Sequence, residues 1–218
     1  MRILAIGAHP DDIEIGCGGT LAKMAQQGFH IEVIVATNGE AGARNIAKEE
    51  LSQIREKEAL HSAKILGVKK VHFLGLTDGL VQFNSEDKIK MISLIRRIRP
   101  DIIFTHSEQD YFPDHRIISD LTNSAVIGSA GPWYQDSSGE PHNVNAVYGY
   151  EVWHPLNKHQ CVEDITKTLR IKLKALSAHK SQLASIDYCK IVEGLATYRG
   201  ATSGHDYAEV FDVRRSSI

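Results

Sequence analysis

The chain is predicted to be an α/β domain, a three-layer sandwich with helices on both faces of a mostly parallel sheet. Two observations predict it. Runs rich in apolar and β-branched residues recur at Arg2–Ala8, His30–Ala36, Lys70–Leu74, Asp101–Thr105 and Asn145–Trp153, the composition of half-buried or buried strands. Stretches of helical period with clear stop signals lie between them, and strands alternating with helices argue a parallel sheet.

The first strand passes directly into a polar turn, His9 to Asp12, and then a glycine run, Gly16, Gly18 and Gly19. There the backbone must approach something closely, or a helix must start. The first helix is expected from Leu21 to Gly28. The second runs from Ala47 to Leu66 and is closed by Gly67 as a C-cap. The third, Asp87–Arg99, is stopped by Pro100. A fourth runs from Asp114-His115 towards Ser129, and a fifth from Ile165 to His179. The remaining chain reads as less regular and ends in a strand near Ala208–Val213.

At 218 residues, 42% hydrophobic and 24% charged, the chain fits one soluble domain, 1–218, able to bury a sizeable core. The part from about residue 155 is expected to pack on that core and complete the site. A net charge of −2 gives no reason to expect nucleic acid or a membrane surface as partner. Cys17, Cys161 and Cys189 are odd in number and widely spaced, which argues against a disulfide framework and suits a reducing cytoplasm. No apolar run approaches the roughly 20 residues of a membrane span, and the N-terminus lacks a signal-peptide pattern.

Chemistry concentrates where the first strand ends. His9 and Asp12 are three apart on a tight turn, so one metal ion can take both, and Asp11 between them is left for proton transfer. The plainer alternative is a polar strand-to-helix turn with Asp12 or Thr20 as N-cap. A catalytic zinc keeps three protein ligands and one open position, so a third ligand is expected elsewhere. Parallel α/β sheets bind ligands beyond the carboxyl ends of the strands, where strand order reverses. In the common order that point lies between strands one and four, which brings His115 to the first turn. Glu40, Asp78, His106, Asp110 and His154 leave the other strand ends towards the same crevice. Arg55 suits a carboxylate, a phosphate or sugar hydroxyls; its alternative is a surface pair with Glu58. His179 closes a helix, where a cation favours the dipole, with a site role as the lesser option.

Ala8-His9-Pro10-Asp11-Asp12 and the following Glu14-Ile15-Gly16-Cys17-Gly18-Gly19-Thr20 resemble the signature of the PIG-L / LmbE-like zinc-dependent N-acetylglucosaminyl deacetylases. The resemblance continues in order through Gly39-Glu40-Ala41-Gly42, Arg55-Glu56-Lys57-Glu58, Asp78-Gly79, Pro113-Asp114-His115-Arg116, His179-Lys180-Ser181-Gln182 and Tyr198-Arg199-Gly200. It implies a Rossmann-like LmbE fold, zinc held by His9, Asp12 and His115, and Asp11 as general base. It also implies Asp114 as support for the base and ligands, and Glu40, Arg55 and Asp78 near the sugar. The implied substrate is a small amino sugar or its conjugate, and the implied assembly a homo-oligomer, with hexamers among relatives. Iron or cobalt suits the same ligands.

One position departs from the pattern. Many relatives have a histidine three residues before the last zinc ligand, assigned to the transition state or to proton transfer; here it is Phe112. Loss of one oxyanion donor costs about 10²–10³ in rate. The expected substitutes are His106, His154 or His179, and Phe112 itself suits stacking on a sugar face. A non-catalytic sugar-binding relative is the alternative that Phe112 motivates. Dinucleotide-dependent redox chemistry has only Gly16-x-Gly18-Gly19 in its favour, and that run neither begins at the strand end nor has the required spacing. The segment between Ser129 and His142, with Gly131-Pro132-Trp133-Tyr134, is expected to form a pocket wall that reads the aglycone.

Overall fold

The computed structural model describes residues 1–183 and 186–216. In chain order the elements are β1 (Arg2–Gly7), α1 (Asp12–Gln26), β2 (His30–Thr37), α2 (Lys48–Leu66), β3 (Lys70–Leu76), α3 (Ser85–Ile98) and β4 (Ile102–His106). Then follow α4 (Pro113–Ala130), β5 (Ala146–Tyr150), β6 (Cys161–Asp164), α5 (Leu169–Leu176), α6 (Lys180–Leu183), α7 (Tyr188–Ala201) and β7 (Ala208–Ser216). Among the described residues the strands form one seven-stranded sheet in the order β3-β2-β1-β4-β5-β7-β6. β1 to β5 pair in parallel, and β7 runs antiparallel to both β5 and β6. Strand order reverses at β1, which lies between β2 and β4, as the sequence predicts.

Alternation along β1 sorts its side chains between two cores. Leu4 and Ile6 pack with Ile34, Ile103 and the apolar residues of α3 and α4. Ile3 and Ala5 pack on the other face with Ile13 and Leu21 of α1, Leu176 of α5 and Val192 of α7. Helix ends follow local chemistry. Asn84 caps α3 by accepting the Asp87 N–H at 2.9 Å, and Gly67 closes α2 in the left-handed conformation, φ 84°, as expected of a glycine C-cap. No helix among the described residues is long and apolar enough to cross a membrane.

The sequence expectations need correction in three places. α1 begins at Asp12 rather than Leu21, so the glycine run is helical. Its glycines allow close approach: a Cβ at Gly16 would lie 2.1 Å from the Tyr150 ring, and one at Gly19 2.9 Å from Ile165. The helix also departs from a regular ladder there. The N–H groups of Gly19 and Thr20 donate to the Glu209 carboxylate at 2.9 and 2.8 Å, and Lys172 Nζ donates to the same carboxylate at 2.5 Å. A side chain from β7 thus inserts into α1, and Glu209 ties the C-terminal strand to the first helix. Second, the expected helix Ile165–His179 is confined to Leu169–Leu176, and its entry at Ile165 fills the space over Gly19. Third, the region read as irregular contains α6 and α7, and β6, where no strand is predicted, precedes it at Cys161–Asp164.

Gly16→Ala is expected to destabilise the fold. Tyr150 is fully buried and its hydroxyl donates to Ile6 O at 2.8 Å, so the ring has little freedom to move. Overpacking of this kind costs about 1–3 kcal/mol. It reads as a Tm drop of about 2–4 °C per kcal/mol in a thermal melt.

Candidate active site

The site is built on the ends of β1, β4 and α4. Beyond β1 the chain turns sharply, with the Asp11 N–H donating to His9 O at 3.0 Å. The Asp12 carboxylate, opening α1, accepts the His9 N–H at 2.7 Å. Thr37 at the end of β2 donates its N–H and its hydroxyl to Ala8 O at 2.8 and 2.9 Å. Across the strand-order reversal, the Ala8 N–H donates to His106 Nε2 at 2.9 Å, which joins the end of β1 to the end of β4. Pro113 occupies the first turn of α4, where its missing N–H and fixed φ suit a helix start. His115 follows in the same turn.

His9, Asp12 and His115, all buried, point ligand atoms at one another. His9 Nδ1 is 3.2 Å from His115 Nε2 and 3.4 Å from Asp12 Oδ2, and His115 Nε2 is 3.3 Å from Asp12 Oδ1. A tetrahedral ion with bonds near 2.0–2.1 Å sets its donor atoms about 3.3 Å apart. The outward nitrogens fit the same account. His9 Nε2 lies 3.1 Å from Asp78 Oδ1 and 3.4 Å from Asp114 Oδ2. His115 Nδ1 lies 3.1 Å from Asp110 Oδ2, off the line of a hydrogen bond but within electrostatic reach. Each imidazole therefore has one nitrogen for an ion and the other against carboxylate, the arrangement that fixes tautomer and basicity in metal sites. The donor set fits a divalent transition metal. Asp110→Ala is expected to lower metal affinity about 10–100-fold, measured by equilibrium dialysis.

Charge follows the geometry. Burial alone would raise the Asp12 pKa, but His115, His106 and His9 hold it well below the usual carboxylate range. Burial pushes His106 down to about 4, helped by the charge of His115. A neutral His106 agrees with its Nε2 accepting the Ala8 N–H, and its ring stacks on His115 at 4.0 Å. His106 is thus a platform that orients His115 from behind.

Asp11 lies outside the ligand group. Its Oδ1 accepts Arg55 Nη2 at 3.2 Å, while Arg55 Nη1 donates to Gly39 O at 2.9 Å. Arg55 is buried, and Glu58 instead accepts the N–H and hydroxyl of Ser181, so the surface pair weighed from sequence is not formed. Burial raises the Asp11 pKa, Arg55 opposes this, and Asp12 adds to it. His179 is fully buried between α5 and α6, with Nε2 3.6 Å from Glu14 Oε2. Glu14 accepts the Ser62 hydroxyl at 2.5 Å. Burial alone would lower the His179 pKa, but Glu14 and then Asp11 raise it. His179 therefore sits behind Asp11, not at a helix end facing solvent.

Asp11, Asp12, His9, Arg55, Asp78 and Phe112 line one crevice of about 420 Å³. Glu40 is set back from it and accepts the Asp78 N–H at 2.9 Å; Asp78 in turn accepts the Ala41 N–H at 2.8 Å. Asp114 accepts the Gly79 N–H at 2.8 Å. Together these bonds clamp the exit loops of β2 and β3 and the start of α4 around His9. Phe112 presents its ring edge-on to His9, with centroids 5.6 Å apart. His154 is half-buried and does not line the crevice; its neighbour Trp153 does, turned in by an N–H bond to Asp110 Oδ2 at 3.2 Å. Tyr111, Gln182, Ile186 and Tyr188 also line it. The expected wall between Ser129 and His142 is elsewhere. It packs on α3, where Arg96 donates to Gly131 O at 2.6 Å and to Tyr134 O at 3.1 Å. That is the far end of α4, about 22 Å along the helix from His115 at 1.5 Å per residue.

Comparison with known proteins relates the chain to de-N-acetylases by sequence, while the fold is shared by a protein of other activity, the 4-carboxy-2-hydroxymuconate hydratase GalB, with a TM-score of 0.90 at 22% identity. The family model described as PIG-L, GlcNAc-PI de-N-acetylase, matches residues 4–126. The chain is 33% identical over 221 residues to the diacetylchitobiose deacetylase of Thermococcus kodakarensis, covering 95% of this chain and 81% of that protein. It is 28% identical over 190 residues to a Bacillus cereus protein described as a probable N-acetyl-alpha-D-glucosaminyl L-malate deacetylase 2, covering 83% of each. The structure of N,N'-diacetylchitobiose deacetylase from Pyrococcus horikoshii, complexed with an inhibitor, superposes with a TM-score of 0.90 at 29% identity, covering 97% of this chain and 83% of that one.

Proposed function

This chain belongs to the PIG-L family of de-N-acetylases, and from that premise we propose that it hydrolyses the N-acetyl amide of an N-acetylglucosamine-type sugar or conjugate, releasing acetate. The observation that carries the reading is the division of labour within one turn. Asp12 faces His9 and His115, whereas Asp11, one residue earlier, faces Arg55 and the crevice.

We assign His9, Asp12 and His115 as the residues that hold a divalent ion, with zinc as the first choice for two imidazoles and a carboxylate. When bound, zinc supplies a water acidified to a pKa of about 7 and a Lewis-acid site for the amide oxygen. The chain's own residues do the rest. Asp11 accepts the water's proton as the oxygen attacks the acetyl carbon, and later delivers it to the leaving nitrogen. Arg55 fixes one Asp11 oxygen and leaves the carboxylate oriented into the crevice. Asp78 and Asp114 hold His9, and Asp110 with the His106 ring holds His115. Glu14 and His179 form the charged backing of Asp11. We place Asp78, Phe112 and Arg55 at the sugar's edge, with Glu40 acting through the Asp78 loop. A homo-oligomer acting in the cytoplasm on a small amino sugar is the setting that fits this reading.

The test is acetate release from a panel of N-acetylated amino sugars, run with zinc and after chelation. Metal-dependent release supports the proposal. No release from any member by metal-loaded enzyme sinks it in favour of the non-catalytic sugar-binding alternative.

A further inference from the structure

Resting on the deacetylase reading, the geometry points to an uncharged glycoside as the preferred substrate: the crevice beside Asp11 is walled by aromatic rings, and its one arginine or lysine among the described residues is already paired. Four rings arrive from three segments. Tyr111 and Phe112 follow β4, Trp153 follows β5, and Tyr188 opens α7. Trp153 and Tyr188 pack against each other with centroids 5.3 Å apart. Tyr111 and Phe112 stay 62% and 37% exposed, so their faces are open to whatever enters.

These walls are held in register with the ligand group. Asp110, buried, accepts the Phe112 N–H on Oδ1 at 2.9 Å and the Trp153 N–H on Oδ2 at 3.2 Å, and the same Oδ2 faces His115. An aromatic surface pre-positioned beside a reactive centre suits the apolar faces of a sugar ring and of a second ring attached to it. The faces of such rings, negative at their centres, offer an anion no counter-charge.

Charge on the lining points the same way. Asp11, Asp12 and Asp78 are acidic, and Arg55 is the single guanidinium, bound to Asp11 and to Gly39 O. A divalent ion brings that set to neutrality with no positive surplus. A carboxylate or phosphate on the aglycone would meet Asp78 and Asp11 without a partner, and like-charge juxtaposition of this kind rejects ligands. Arg44, two residues beyond Gly42 on the β2–α2 loop, is exposed and outside the lining, as is Arg116, whose Nη1 donates to Tyr111 O at 2.7 Å; an anionic substrate would have to recruit a cation of this kind from the rim.

The test compares kcat/KM of the metal-loaded protein for three glycosides sharing one N-acetylglucosamine: a neutral disaccharide, a carboxylate-bearing glycoside and a phosphate-bearing one. The neutral member is expected to lead by at least about tenfold, and Trp153→Ala to raise its KM about tenfold. Ile186→Lys, which adds a cation to the lining, is expected to raise the ratio of kcat/KM for the anionic members to that for the neutral one. Equal or better turnover of an anionic glycoside overturns the inference while leaving deacetylation intact. If no member is turned over, the deacetylase reading fails. Titration calorimetry with the same glycosides then still reads the charge preference: tighter binding of the neutral member supports it, and tighter binding of an anionic member overturns it.

Discussion

Asp11→Asn is expected to lower kcat by about 10²–10⁴, the contribution of a positioned general base, with metal stoichiometry unchanged. The second half of that expectation follows from geometry. Asp11 is absent from the His9–Asp12–His115 group and has Arg55 as its ion-pair partner. An amide in its place keeps the shape of the turn and a hydrogen-bonding oxygen for Arg55 but cannot take a proton. The pH profile provides an independent sign. The base must be ionised, so kcat/KM falls as pH drops through the Asp11 pKa. Burial raises that pKa, Arg55 lowers it and Asp12 raises it further, leaving it above its ordinary value. These contributions are those of the metal-free protein, and a bound divalent ion adds a further lowering charge. Arg55→Gln removes the guanidinium's lowering contribution and is expected to move the limb to higher pH. An active Asp11→Asn enzyme, or an acid limb that ignores Arg55, would assign the base elsewhere.

What could be read in the sequence divides by the distance along the chain over which each feature is determined. The His9-Pro10-Asp11-Asp12 turn is local, and the division into ligands and base proposed for it rests on spacing. His115, more than a hundred positions away, was reachable because parallel topology brings the ends of β1 and β4 together. The helix limits of α2 and α3 were legible from Gly67 and Pro100. The glycine run was misread because its reason lies elsewhere in the chain: Tyr150 and Ile165 occupy the space over Gly16 and Gly19, and Glu209 takes two of the helix's N–H groups. Trp153, not His154, reaches the crevice because of one N–H bond to Asp110, which strand patterning does not encode. Tyr188 and Gln182 belong to the part of the chain whose elements depend on packing against β7 and α1, so their arrival at the site had no local signal. The polar segment after Ser129 looked like a pocket wall by composition, but the length of α4 carries it to the opposite end of the sheet.

Chelation is expected to abolish acetate release, with one equivalent of zinc restoring it. His115→Ala is expected to weaken metal binding beyond the about 10–100-fold loss that follows removal of an outer carboxylate. The metal-free protein also makes a prediction about protons. Burial works against a charged His115, but Asp12 and Asp110 outweigh it and raise its pKa to about 9. At neutral pH His115 therefore holds a proton in the absence of metal. Burial works against a charged His9 too, but Asp12, Asp114 and Asp78 raise its pKa well above the ordinary value; the 3.2 Å contact between His115 Nε2 and His9 Nδ1 needs one donor and one acceptor, so the pair shares a single proton between the two atoms assigned to the ion. Metal requires the neutral imidazole and must displace it. Affinity is then expected to rise with pH, about tenfold per unit for one displaced proton, and to level off as pH approaches about 9. Titration calorimetry in two buffers of different protonation enthalpy is expected to show about one proton released per ion at neutral pH. Binding that releases no proton, with affinity flat across that range, would place the ion away from His9 and His115, and the division of roles between Asp11 and Asp12 would lose its basis.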